Sequence, residues 1–155
     1  MKARTIALTL ALCAVGVTAG LAAADAQLGT WKLNAAKSKV VPGLGKNDTV
    51  VYAAAGDNVK IVVDGTDGAG KPAHNEWTGK FDGKYYPVTG DASLDERSYT
   101  KVDDHTLTFI NRKAGKETMT GRITVSADGK SRTVTATGAD STGKNVTGTS
   151  VFDKQ

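Results

Sequence analysis

Apolar and polar residues alternate along most of this chain. In Val59-Lys60-Ile61-Val62-Val63 the residues Val59, Ile61 and Val63 share one side. Between Ala73 and Phe81, the residues Ala73, Asn75, Trp77, Gly79 and Phe81 take one face, and His74, Glu76, Thr78 and Lys80 the other. Farther on, Met119, Gly121, Ile123 and Val125 oppose Thr120, Arg122 and Thr124. A two-residue period with one polar face is the signature of an antiparallel sheet whose inner side is apolar and whose outer side is wet. No segment after residue 26 keeps a helical period over three turns, and Ala35-Ala36-Lys37 and Ala53-Ala54-Ala55 are too short to argue one.

Glycine beside Asp, Asn or Lys punctuates these runs, as in Gly56-Asp57-Asn58, Asp82-Gly83-Lys84, Ala114-Gly115-Lys116 and Asp128-Gly129-Lys130. Such clusters supply the positive φ and the wet loop of a hairpin turn. Together the two signals predict about ten strands, at 29–34, 48–55, 58–64, 72–81, 84–88, 96–102, 105–112, 117–126, 131–138 and 145–153. Hairpin after hairpin makes an all-β, antiparallel up-and-down meander, and closure into a barrel removes its two exposed edges. A two-sheet sandwich is the alternative. Segment 35–47, with Pro42 and several lysines, is the one long connection and is expected to cross or lid an end.

The first residues read differently. Lys2 and Arg4 precede an uncharged apolar run from Ile6 through Val17, and small residues follow from Ala19 to Ala26. This is the layout of a secretory signal peptide, 1–26, with cleavage after Ala26 and a second acceptable position after Ala24. The run is too short for a stable membrane span. Residues 27–155 then form one domain, periplasmic or secreted, with no integral membrane span after cleavage. Cys13, the one cysteine, lies in the apolar run, so the remainder forms no disulfide and no thiolate metal site.

Charge and motifs exclude more than they suggest. The chain carries 20 basic and 16 acidic residues, net +4. The basic residues are scattered singly, unlike the concentrated positive face that nucleic-acid binding needs. Gly65 to Lys71 and Gly138 to Lys144 match the first part of a phosphate-binding loop, but Pro72 and Asn145 follow where a hydroxyl and a helix are required. Both read as hairpin turns, and their mutual likeness reads as the demands of one turn type. His74 and His105 stand near acidic residues, yet a metal or general-base role needs them to converge on a carboxylate. No catalytic residue, metal site or cofactor is expected, and the chain reads as a non-enzyme.

The aromatic residues carry the binding expectation. Trp31, Trp77, Phe81, Tyr86 and Phe109 fall on several strands and are candidates to line a pocket for a small apolar or amphiphilic ligand. The same side chains can instead fill a small barrel solid, which makes a packed cell-envelope interaction or structural domain the alternative function.

Gly29-Thr30-Trp31 at the first strand resembles the Gly-x-Trp opening of lipocalins and lipocalin-like bacterial domains. That resemblance implies that Trp31 closes one end of a barrel with a basic residue of a late strand packed across it, Arg122 and Arg132 being candidates. Trp31 to Ser38, Phe81 to Gly90 and Ser126 to Lys130 also resemble segments of small exported bacterial proteins of unassigned function, over nearly the whole of 27–155.

Overall fold

The computed structural model describes residues 26–140 and 142–155. The expected signal peptide, apart from Ala26, and Cys13 lie outside the described residues. Ten strands run in order: β1 (Gly29–Leu33), β2 (Lys46–Ala55), β3 (Asn58–Thr66), β4 (Pro72–Gly79), β5 (Asp82–Thr89), β6 (Glu96–Lys101), β7 (Thr106–Lys113), β8 (Lys116–Val125), β9 (Ser131–Ala139) and β10 (Asn145–Lys154). Each pairs antiparallel with its neighbours in sequence, and β1 closes on β10 through Trp31↔Lys154 and Leu33↔Phe152. The meander is a closed barrel, as the hairpin spacing predicted.

Register decides what the barrel holds. Val59, Ile61, Val63, Trp77, Ile123 and Val125 are buried on the inner face, as their alternation required. Most boundaries fall within two residues of expectation. β4 stops at Gly79 rather than at 81, because the inner position is already occupied. A Cβ on Gly79 would lie 2.5 Å from the Tyr86 ring and 2.7 Å from the Trp77 ring. The chain turns there, and Phe81 comes to rest stacked with Trp77, ring centres 6.2 Å apart. The β4–β5 seam is thin: two register pairs, Glu76↔Thr89 and Trp77↔Val88, against eight between β3 and β4.

Antiparallel order places the turns alternately at two ends. The start of β1, the end of β10 and the turns after β2, β4, β6 and β8 make one end. Connection 34–45 and the turns after β3, β5, β7 and β9 make the other. The long connection holds a single 3-10 turn, Ala35–Lys37, whose Lys37 amide donates to the Asn34 side chain. Ser38 ties it to β10, donating to the Asn34 carbonyl at 2.7 Å and accepting from the Val151 amide at 2.9 Å. It then packs against the β3–β4 turn so closely that a Cβ on Gly68 would run into the Gly43 carbonyl.

The two phosphate-loop look-alikes are one turn built twice. Asp67 Oδ1 accepts from the amides of Ala69 and Lys71, and Asp140 Oδ1 from those of Thr142 and Lys144. The Asp67 and Asp140 amides bond the carbonyls of Lys71 and Lys144, and Gly70 and Gly143 both take positive φ, 78° and 83°. A shared turn geometry accounts for their likeness. Among the described residues no helix is long and apolar enough to cross a membrane.

Candidate functional site

Inside the barrel the inner residues of β9 shrink in order, from Arg132 through Val134 and Ala136 to Gly138. Those of β10 opposite the first three also shrink, from Phe152 through Ser150 to Gly148, and Val146 stands opposite Gly138. Both series run from the end that holds the start of β1 toward the end that holds connection 34–45. Side-chain volume therefore fills the first end and leaves space toward the second. The space is a cavity of about 350 Å3. Val50, Val63, Phe109, Ile123 and Val134 supply apolar wall, and Val41, Leu44 and Leu94 stand where the loops meet the mouth. The long connection does border an opening, as its length and position led one to expect.

The opposite end is shut. Trp31 is fully buried, and its indole N–H donates to the Gln27 carbonyl at 2.7 Å. Gln27 is itself buried. Arg132 lies over Trp31, its guanidinium carbon 5.1 Å from that ring centre, 4.9 Å from Tyr52 and 4.8 Å from Phe152. Of the two arginines that the lipocalin resemblance left open, Arg132 is the one that packs across the tryptophan. Arg122 is exposed on the outer face.

The cavity wall is not purely apolar. Arg97, on β6, is buried, and its Nε donates to Asn111 Oδ1 at 2.7 Å. Its Nη1 makes longer contacts with Asn75 Oδ1 at 3.4 Å and the Tyr99 hydroxyl at 3.5 Å. Arg132 Nε and Nη1 are buried without a hydrogen-bond acceptor. Neither guanidinium has a carboxylate within 4.0 Å among the described residues. Burial, and secondarily Tyr99, pushes the Tyr52 phenol far above its ordinary range, although Arg132 opposes the shift, so that hydroxyl stays neutral.

Of the five aromatic residues predicted to line a pocket, the structure puts Phe109 on the cavity wall. Trp31 belongs to the shut end. Trp77, Phe81 and Tyr86 pack among themselves and against Tyr99: Trp77 meets Tyr86 and Tyr99 edge-on at 5.6 and 4.9 Å, and Phe81 meets Tyr99 at 5.6 Å. The Trp77 indole N–H is spent on the Arg97 carbonyl at 2.9 Å.

The residues that sequence reasoning missed are polar: Arg97 and Asn111, with Asn75 assigned to the inner face but not to a site. Their signal was parity. Arg97 shares a face with Tyr99 on β6, as Asn111 does with Phe109 on β7.

The histidines do not converge. His74 sits on the outer face with Nδ1 2.7 Å from Asp64 Oδ1, more than half of its side chain exposed, near the mouth end of β4. His105 is exposed in the β6–β7 turn at the shut end. Among the described residues no group of three or more His, Cys, Asp or Glu side chains is arranged to hold a metal.

No protein-family model matches the chain, and no curated protein does. Solved structures similar to it in outline include two β-barrels. One is a redesigned β-barrel, mFAP1, bound to DFHBI, at 18% identity and a TM-score of 0.47, covering 85% of this chain and 98% of that one. The other is EF1p2_mFAP2b bound to DFHBI, at 15% identity and a TM-score of 0.48, covering 86% and 97%.

Proposed function

We propose that this chain is an exported, non-enzymatic barrel that binds a small apolar or amphiphilic molecule. The observation that carries the reading is the cavity itself. A space of about 350 Å3 inside a close-packed protein stands near the lower end of small-molecule sites, about 300–1,000 Å3. Its wall combines apolar side chains with a few convergent polar groups, the usual composition of such sites. The exposed, separated histidines support a role without chemistry on the ligand.

Export rests on the sequence of residues 1–26. The peptidase cut is placed after Ala26, with the position after Ala24 as the second acceptable one. N-terminal sequencing of the secreted protein distinguishes the two positions.

Native mass spectrometry tests the function, on protein purified from the periplasm and then exposed to lipids and apolar metabolites. A reproducible bound mass at one-to-one stoichiometry is expected. A bare protein mass against the whole panel contradicts the reading and leaves the packed interaction domain.

A further inference from the structure

We propose that the cavity selects an anionic amphiphile and takes its carboxylate among Arg97, Tyr99 and Arg132. The inference rests on the binding function proposed above and names the ligand class. Its starting point is an imbalance. Two arginines line one interior space, 7% and 2% exposed, and every acceptor that Arg97 contacts is a neutral amide or phenol oxygen. Arg132 keeps two buried N–H groups with no acceptor at all. A guanidinium stays charged in any protein interior, and buried charges are ordinarily paired. What the site lacks is an anion.

The surroundings fit one. Tyr99 links toward both cations through its contacts: its hydroxyl is 3.5 Å from Arg97 Nη1, and it interacts with Tyr52, whose ring centre is 4.9 Å from the Arg132 guanidinium carbon. Tyr52 remains a neutral phenol, so no tyrosinate neutralises Arg132 from within. The carboxylates that border the space, Asp67 and Asp91, belong to the mouth loops and are engaged there. Asp67 accepts from the amides of Ala69 and Lys71, and Asp91 from Ser93. An acid group carried past them meets two cations that no carboxylate neutralises, while its tail meets Val50, Val63, Ile123 and Val134.

Size sets the tail. At about 30 Å3 per methylene-sized group, close to a water's share of liquid volume, the space has room for about a dozen non-hydrogen atoms. Decanoate has that size, and decanol is its uncharged match.

Calorimetric titration of the full protein with each, at pH 7.5, is the test. Decanoate should bind at least about tenfold tighter than decanol. Arg97→Gln should remove most of that preference by weakening decanoate far more than decanol, and Arg97→Lys should restore part of it. Should Arg97→Gln fail to fold, the wild-type protein answers by pH: decanoate affinity should fall toward that of decanol as the acid protonates, below about pH 4.5. Equal affinities, or tighter decanol, overturn the anionic class and leave the binding barrel standing. A preference that survives Arg97→Gln unchanged overturns the assigned head-group site. Binding of neither compound, nor of any ligand in the wider panel, removes the binding function itself.

Discussion

The inner face of β4–β6 and that of β8–β10 line the same barrel with opposite materials. On the first, Trp77, Phe81, Tyr86 and Tyr99 interlock at ring separations between 4.9 and 6.2 Å, with Gly79 leaving them room. On the second, Ala136 and Gly148 offer almost no side-chain volume and the cavity opens beside them, while Gly121 is covered by the Phe109 ring. The thin β4–β5 seam is bridged by side chains where backbone pairing is short, so the aromatic cluster takes over part of the sheet's cohesion. Small residues on β8–β10 sit instead in a continuous ladder, seven register pairs between β8 and β9 and nine between β9 and β10. Where the backbone network is complete, side chains are free to be absent.

Substitutions should separate the two regions. Trp77→Ala removes the centre of the aromatic cluster and should cost about 3–5 kcal/mol, read by urea denaturation. Gly79→Ala pushes a methyl into the Tyr86 and Trp77 rings and should cost about 1–3 kcal/mol, by the same assay. On the hollow side, Ala136→Phe adds far more volume than Gly79→Ala. It should change stability by less than about 1 kcal/mol, since Ala136 lines the cavity and the added ring has that space to enter. Ligand affinity should fall at least about tenfold. A large destabilisation by Ala136→Phe would mean that this side is packed as well.

Titration sharpens the contrast further. Tyr52 has its folded pKa raised, mainly by burial. Its contribution to stability is therefore full below the unfolded value, about pH 10, and is lost as the pH climbs from there toward the folded value. Tyr52→Phe should flatten that alkaline limb of Tm against pH. The smallest effect belongs to the outer turns. A hydrogen bond from Lys113 and the Ala114 amide hold Asp95 below the usual carboxylate range, and the Thr142 hydroxyl and backbone amides do so for Asp140. Depressed carboxylates stabilise above their unfolded pKa, about 4, and that share is lost as pH falls through the folded values. Both are exposed, so the acid limb should be shallow and should weaken in salt.

The fold was legible because period and turn chemistry agree: nearly every alternating run ends at a glycine-bearing turn, Val102–His105 being the exception, and the inner residues Val59, Ile61, Trp77 and Ile123 follow from parity alone. The site was less legible. Aromatic residues attract attention as ligand wall, yet Trp77, Phe81 and Tyr86 are large enough to satisfy one another. Trp31 is spent on Arg132 and Gln27. The hollow is written in small residues, Val134 and Ala136 after Arg132 with Gly148 opposite, and volume left empty has no residue type to announce it. Arg97 and Asn111 could have been found as polar residues at inner parity. Their shared space depends on how far apart β6, β7 and β9 stand around the barrel, which the local pattern does not encode.

Amide chemical-shift mapping by NMR, during titration with a small amphiphile, tests the division between hollow and packed halves most directly. The account predicts saturable shifts at the cavity-wall residues Val63, Asn75, Phe109, Ile123 and Val134, with Trp77 and Phe81 little changed. Saturable shifts centred on Trp77, Phe81 and Tyr86, or on the outer strand faces, would contradict it.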